Sequence, residues 1–197
     1  MLLLVDVSAS VNHSRLSTDY TFRDVVDSVT ARLQPGDVAG FGLMTNRARF
    51  SEMNLAPAAF RTTAYGMLQP PDRERFGPSP LWDTLLDAVR RVATMSGRRA
   101  IIVVTDGKSS GNIHGSGEIV PAAKAASVAI HMVIENNQLA LIGQTPPLDP
   151  ANFLQMIARE TGGLSLPDRP RLPRDKSEAT RAATIMDALQ RAIGRRP

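Results

Sequence analysis

The chain has 197 residues, 43% of them apolar, enough for one domain with a sizeable core. It contains no cysteine, which excludes disulfide scaffolds, thiol catalysis and cysteine-held metals. Residues 1–166 hold 15 basic and 15 acidic side chains, and residues 167–197 hold 8 and 4, so the net charge of +4 belongs to the tail and gives no reason to expect nucleic acid as a partner.

No apolar run approaches the ~20 residues of a membrane span. The opening MLLLV lacks a basic n-region and a cleavage site, so it is not read as a signal peptide. Met1 stands at the edge of what reads as a core strand, so a lead-in, and with it any targeting segment, is expected upstream. The compartment stays open: secreted or periplasmic with such a segment, cytoplasmic without it.

Met1–Val5 reads as a strand buried on both faces. Thr18–Leu33 places Phe22, Val25, Val26, Val29 and Leu33 at helical spacing, and Gln34-Pro35-Gly36-Asp37 stops the helix. Val38–Met44 is a second strand. Thr45-Asn46 is short enough for a hairpin, and Arg47–Met53 alternates as an antiparallel edge strand. Pro57–Tyr65 is a short helix or loop, and Leu68–Pro78 a polar connector. Leu81–Met95 is helical, with Leu81, Leu85, Val89 and Val92 on one face. Ala100–Thr105 is a continuous buried strand, and Asp106–Gly117 a Gly/Ser-rich loop. Glu118–Ser127 reads as helix, Val128–Ile134 as strand, Pro150–Thr161 as helix and Leu164–Leu166 as a short strand. A proline-rich break at 167–173 precedes a last helix near Glu178–Ile193, whose stripe of Ala182, Ile185, Leu189 and Ile193 is expected to pack on the same domain.

Helices alternating with apolar strands predict an α/β fold: a three-layer, doubly wound, Rossmann-like sheet, mostly parallel with one antiparallel edge strand. The domain is expected over 1–166, with 167–197 as a basic, proline-rich linker and C-terminal helix. In such sheets ligands bind beyond the carboxyl ends of the strands, where strand order reverses. Asp6, Ser8 and Ser10 follow the first strand, Asp106 follows AIIVVT, and Ser79 opens the helix between them. Extended chain points residues i, i+2 and i+4 the same way. Two carboxylates and three hydroxyls form an all-oxygen set suited to a hard divalent cation. Simpler roles exist for each: Asp6 and Asp106-Gly107 suit turns, and Ser79-Pro80 suits a helix N-cap followed by proline at the first helical position.

The stretches DVSAS, GPSPLWDTLLDAV and IIVVTDG resemble the three metal-site segments of von Willebrand factor type A domains, and PGD and MIARETGG resemble bacterial members. The resemblance covers roughly residues 1–166. It implies a metal-ion-dependent adhesion site for Mg²⁺ or Mn²⁺ at Asp6, Ser8, Ser10, Ser79 and Asp106, its hydroxyls contacting the metal directly and its aspartates often acting through water. It also implies a protein partner that presents an Asp or Glu. Ser79 stands where the family usually has Thr, which keeps the hydroxyl, and Ala9 where Gly is common.

Of the remaining polar residues, His131 reads as structural, and His13 and His114 as solvated loop residues near the site. Arg15, Arg47 and Lys108 could ring the site and attract acidic partners. Met44, Met132 and Met156 read as core. There is no phosphate-binding G-x-x-x-x-G-K-[ST] and no histidine paired by motif, so the chain is expected not to be an enzyme. A metal-dependent protein-binding module is the first functional expectation. A subunit of an intracellular, ATPase-associated, chelatase-like complex is the alternative.

Overall fold

The computed structural model describes residues 1–8, 11, 19–134 and 150–167. The central strand is β1 (Leu2–Asp6), and all five of its residues are buried, as they must be in a strand paired on both sides and covered on both faces. It runs parallel to β2 (Gly40–Met44) on one side and to β4 (Arg99–Thr105) on the other. An antiparallel β3 (Ala48–Phe50) closes one edge, and parallel β5 (Val128–Ile134) and β6 (Ser165–Pro167) extend the other. The order is β3-β2-β1-β4-β5-β6. The chain moves outward from β1 to β3, then returns past β1 to build β4 to β6. The connections after β1 and β4 therefore diverge, and a crevice opens between the carboxyl ends of these two neighbours.

The helices are α1 (Asp19–Thr30), α2 (Pro57–Met67), α3 (Asp72–Arg75), α4 (Leu81–Ala93), α5 (Ile119–Ala125, entered through a 3₁₀ turn at Ser116–Glu118) and α6 (Pro150–Glu160). Strand alternation sorts them into two layers. Leu3 and Val5 of β1, with Ile102 and Val104 of β4, join Val26 and Val29 of α1 and Phe60 and Ala64 of α2. Leu2 and Leu4, with Ile101 and Val103, join Leu85 and Val89 of α4, Ile119 of α5 and Leu154 of α6. The expected three-layer α/β sandwich with one antiparallel edge strand is what the chain forms.

Some boundaries differ from the sequence reading. The edge strand is only Ala48–Phe50: the Ser51 amide still donates to Phe41 O at 2.8 Å, but the Phe41 amide goes to the Ser51 hydroxyl at 2.8 Å, so the ladder does not continue. The supposed connector 68–78 contains α3. Pro167 belongs to β6, so the sheet runs one residue past 166. Ser10, His13, Arg15 and the helix expected near 178–193 lie outside the described residues. Among the described residues, no helix is long and apolar enough to cross a membrane.

Candidate metal centre

Asp6 is the last residue of β1 and Asp106 the first after β4, so the parallel pairing of these strands brings both carboxylates to the crevice. Each turns its chain in the same way. Asp6 Oδ1 accepts the Ser8 amide at 2.9 Å, and Asp106 Oδ1 accepts the Lys108 amide at 3.0 Å. These are Asx turns, as the simple reading of both residues expected. The second oxygens differ. Asp6 Oδ2 accepts the Thr105 hydroxyl at 2.7 Å, whereas Asp106 Oδ2 is buried with no hydrogen-bond partner. The nearest cation to it is the Lys108 ammonium at 3.6 Å, beyond hydrogen-bonding distance.

Asp6 is 1% exposed. Burial pushes its carboxyl up to about 7, against the opposing pull of hydrogen bonds from Ser8 and Thr105, and the charge of Asp106 pushes the same way as burial. Two carboxylates thus share one dry corner, with the Ser8 hydroxyl on Asp6. A buried anion so disfavoured is what a bound cation relieves.

Ser79 precedes α4, and the structure corrects the capping expectation for it. The helix starts at Leu81 and its N-terminal residues bear no side-chain cap from the preceding segment. Asn112 supplies the cap instead, its Oδ1 accepting the Trp82 amide at 2.8 Å. The Ser79 hydroxyl is buried and has no hydrogen-bond partner among the described residues. Its backbone is held to the loop after Asp106: Ser110 donates its amide to Ser79 O at 2.8 Å, and Ser79 donates its own to Ser110 Oγ at 3.0 Å. Gly111 permits the join, since at φ +69° a Cβ there would lie 2.5 Å from Pro78 Cβ. Asp83 clamps the far end of the same loop, accepting the Ile113 and His114 amides at 2.8 Å each.

Among the described candidates, Asp6, Ser8 and Asp106 therefore meet at the ends of β1 and β4, and Ser79 is stitched to the loop that Asp106 opens. Arg47 does not stand free at the rim: it pairs with buried Glu74 of α3, as Arg49 does at 3.3 Å. His114 pairs with Glu118 at 3.1 Å. His131 is structural as expected, its Nδ1 accepting the Leu164 amide at 3.1 Å. Met44 and Met132 are fully buried, and Met156 packs against the core from a partly buried position. Sequence reading missed Thr105, Asn112 and Asp83. An Asx or hydroxyl residue in a loop predicted to return to a helix start is a signal for Asn112, whereas Thr105 reads only as the end of a strand.

The donors suit a hard cation. They are carboxylate and hydroxyl oxygens, two of them, Ser79 Oγ and Asp106 Oδ2, buried without hydrogen bonds. Native proteins rarely leave such atoms unsatisfied, and a missing ion is one of the few reasons they do. Among the described residues, no three or more His, Cys, Asp or Glu side chains cluster as metal ligands, so an ion here would depend on two carboxylates and on hydroxyl oxygens.

No protein-family model matches the chain, and no curated protein does. Solved structures do match. An aerotolerance-related membrane protein from Bacteroides fragilis, carrying multiple mutations to serine, aligns with TM-score 0.67 at 15% identity over 98% of this chain and 97% of its own. A von Willebrand factor type A protein from Catenulispora acidiphila aligns with TM-score 0.66 at 18% identity over 99% of this chain and 42% of its own. The conserved hypothetical protein BatB from Bacteroides thetaiotaomicron aligns with TM-score 0.63 at 17% identity over 98% of each. Likeness at these identities establishes the fold, which is that of von Willebrand factor type A domains.

Proposed function

We propose that this chain is a non-enzymatic, divalent-metal-dependent protein-binding module that captures an Asp or Glu of its partner. The observation that carries the reading is two unsatisfied buried oxygens: Asp106 Oδ2, whose charge acts on the Asp6 carboxyl that burial raises to about 7, and Ser79 Oγ, on the segment tied to the loop that Asp106 opens. Asp6, Ser8, Ser79 and Asp106 would hold Mg²⁺ or Mn²⁺, with Ser10 completing the set. The bound ion would supply an electrophilic place for a partner's carboxylate. The chain's own part is to position the donors. Thr105 and the Ser8 amide fix the Asp6 carboxylate, the Lys108 amide fixes Asp106, and Ser110 fixes the Ser79 backbone. With two carboxylates and neutral hydroxyls, a divalent ion keeps room for one more anionic oxygen, and a partner's acidic side chain brings oxygen and charge together.

Calorimetric titration of the EDTA-stripped chain with Mg²⁺ and Mn²⁺ should give one site, and Asp6→Ala should remove it. Equal binding by wild type and variant overturns the proposal. A pull-down with and without EDTA then shows whether the retained protein is an adhesion-type ligand or an ATPase subunit.

A further inference from the structure

Four large apolar side chains stand out as exposed among the described residues. Val38 and Leu164, at 36% and 37%, sit just before β2 and β6. Phe76 and Ile113, at 63% and 91%, belong to the two loops joined at Ser79. Neither is a loose end. The Phe76 carbonyl accepts Asn46 Nδ2 at 3.3 Å, and Gly77 beside it is held at φ +121°. The Ile113 amide is bonded to Asp83, and its neighbour Asn112 caps α4. Fixed backbone thus exposes two bulky apolar groups on the two segments joined at Ser79, one three residues before Ser79 and one three residues after Ser110.

We propose that Phe76 and Ile113 form the apolar rim of the acid-capturing site, and that the partner segment carries a large apolar side chain next to its Asp or Glu. The proposal rests on the metal-site reading above. An acidic residue alone would leave both side chains in water, whereas an apolar neighbour buries them, and buried aromatic anchors at the middle of an interface dominate its energy. Two side chains on two loops fall far short of the ~1,200–2,000 Å² a stable dimer buries. On the loop that carries Ile113, the Lys108 side chain is 59% exposed and offers a cation 3.6 Å from Asp106 Oδ2. An acidic segment of a protein, with an apolar residue beside the acid, satisfies both the charge and the size.

The test is to pan a displayed library of random linear peptides on the full chain in Mg²⁺ and elute with EDTA. Enriched peptides should carry Asp or Glu with Leu, Ile, Met or Phe within two residues. The double variant Phe76→Ser, Ile113→Ser should melt like wild type, still select acidic peptides, lose the apolar preference, and bind the wild-type peptides about tenfold more weakly. Acidic, EDTA-released peptides with no apolar preference overturn this inference and leave the metal reading standing. Peptides that lack an acid and resist EDTA, or no EDTA-released peptide at all, overturn the metal reading and this inference with it.

Discussion

The two ends of the parallel sheet treat their buried polar atoms in opposite ways. At the amino end, a cleft is lined by Arg99, Lys124, Ser127, His131, Glu160 and Thr161. There Arg99 bridges two helix ends, giving Nε to Met95 O at 2.9 Å and Nη1 to Ala126 O at 3.0 Å. Lys124 meets Glu160 at 3.2 Å, Thr161 Oγ1 takes the Ile130 amide, and His131 Nδ1 takes the Leu164 amide. At the carboxyl end, Ser79 Oγ and Asp106 Oδ2 are buried without hydrogen bonds. A cleft whose polar groups complete one another is structure, even when it is large and charged. Groups that the fold positions but leaves incomplete are the ones the proposed metal would complete.

If that contrast is right, damage at the amino end should cost stability and leave metal binding alone. The largest such effect is expected from pH. Burial lowers the His131 imidazole to about 4 from an ordinary 6.5. Between those values the unfolded chain holds the extra proton and the folded chain does not. The His131 contribution is therefore full above pH 6.5 and is lost as pH falls toward 4, by roughly 3 kcal/mol, while Asp6, raised to about 7, gains stability over the same window. Protonation would also turn the Nδ1 acceptor against the Leu164 amide. Urea unfolding of both proteins at pH 7.5 and pH 4.5 isolates the His131 part: His131→Gln, which keeps an acceptor but does not titrate, should lose about that much less stability than wild type between the two pH values. Equal slopes for variant and wild type would mean that His131 is already accessible to protons in the folded state.

Arg99→Ala comes next. It strips a charged donor from two carbonyls at helix ends and should cost about 2 kcal/mol, or roughly 4–8 °C in melting for a chain of this size. The Mg²⁺ titration should be unchanged. Reduced metal affinity in a folded Arg99→Ala protein would show that the two ends are coupled and would break the comparison.

How much of this was legible in the sequence follows from the range of the interactions. The strands β1, β4 and β5 are uninterrupted apolar runs, and α4 repeats its apolar residues at helical spacing, so local pattern was enough for the layers and the sheet. Asp6, Ser8 and Asp106 were legible because each sits at the carboxyl end of such a run. Thr105 was not, because its bond to Asp6 depends on the register of two strands separated by 99 residues. The Asn112 cap, 30 residues from the amide it accepts, was hidden for the same reason, and its absence from the local pattern made Ser79 look like the cap. Arg47 looked like a free rim charge because Glu74 lies in a segment with too little periodicity to betray α3.

Ser79 gives the smallest expected change in stability and the sharpest division between the two ends. Its hydroxyl is buried and bonds to nothing, so Ser79→Ala breaks no hydrogen bond and relieves an unpaid desolvation. The metal-free protein should unfold within about 0.5 kcal/mol of wild type. On the proposed coordination, Mg²⁺ affinity should nevertheless drop about tenfold, or about 1.4 kcal/mol, through the loss of one ligand oxygen. Ser79→Thr keeps the hydroxyl and should keep the affinity. The two titrations, paired with urea unfolding of the stripped proteins, separate a ligand from a structural hydroxyl. A Ser79→Ala protein that loses stability yet binds Mg²⁺ as before would place its oxygen among the structural polar groups of the fold, and the carboxyl end of the sheet would then differ from the amino end only in Asp106.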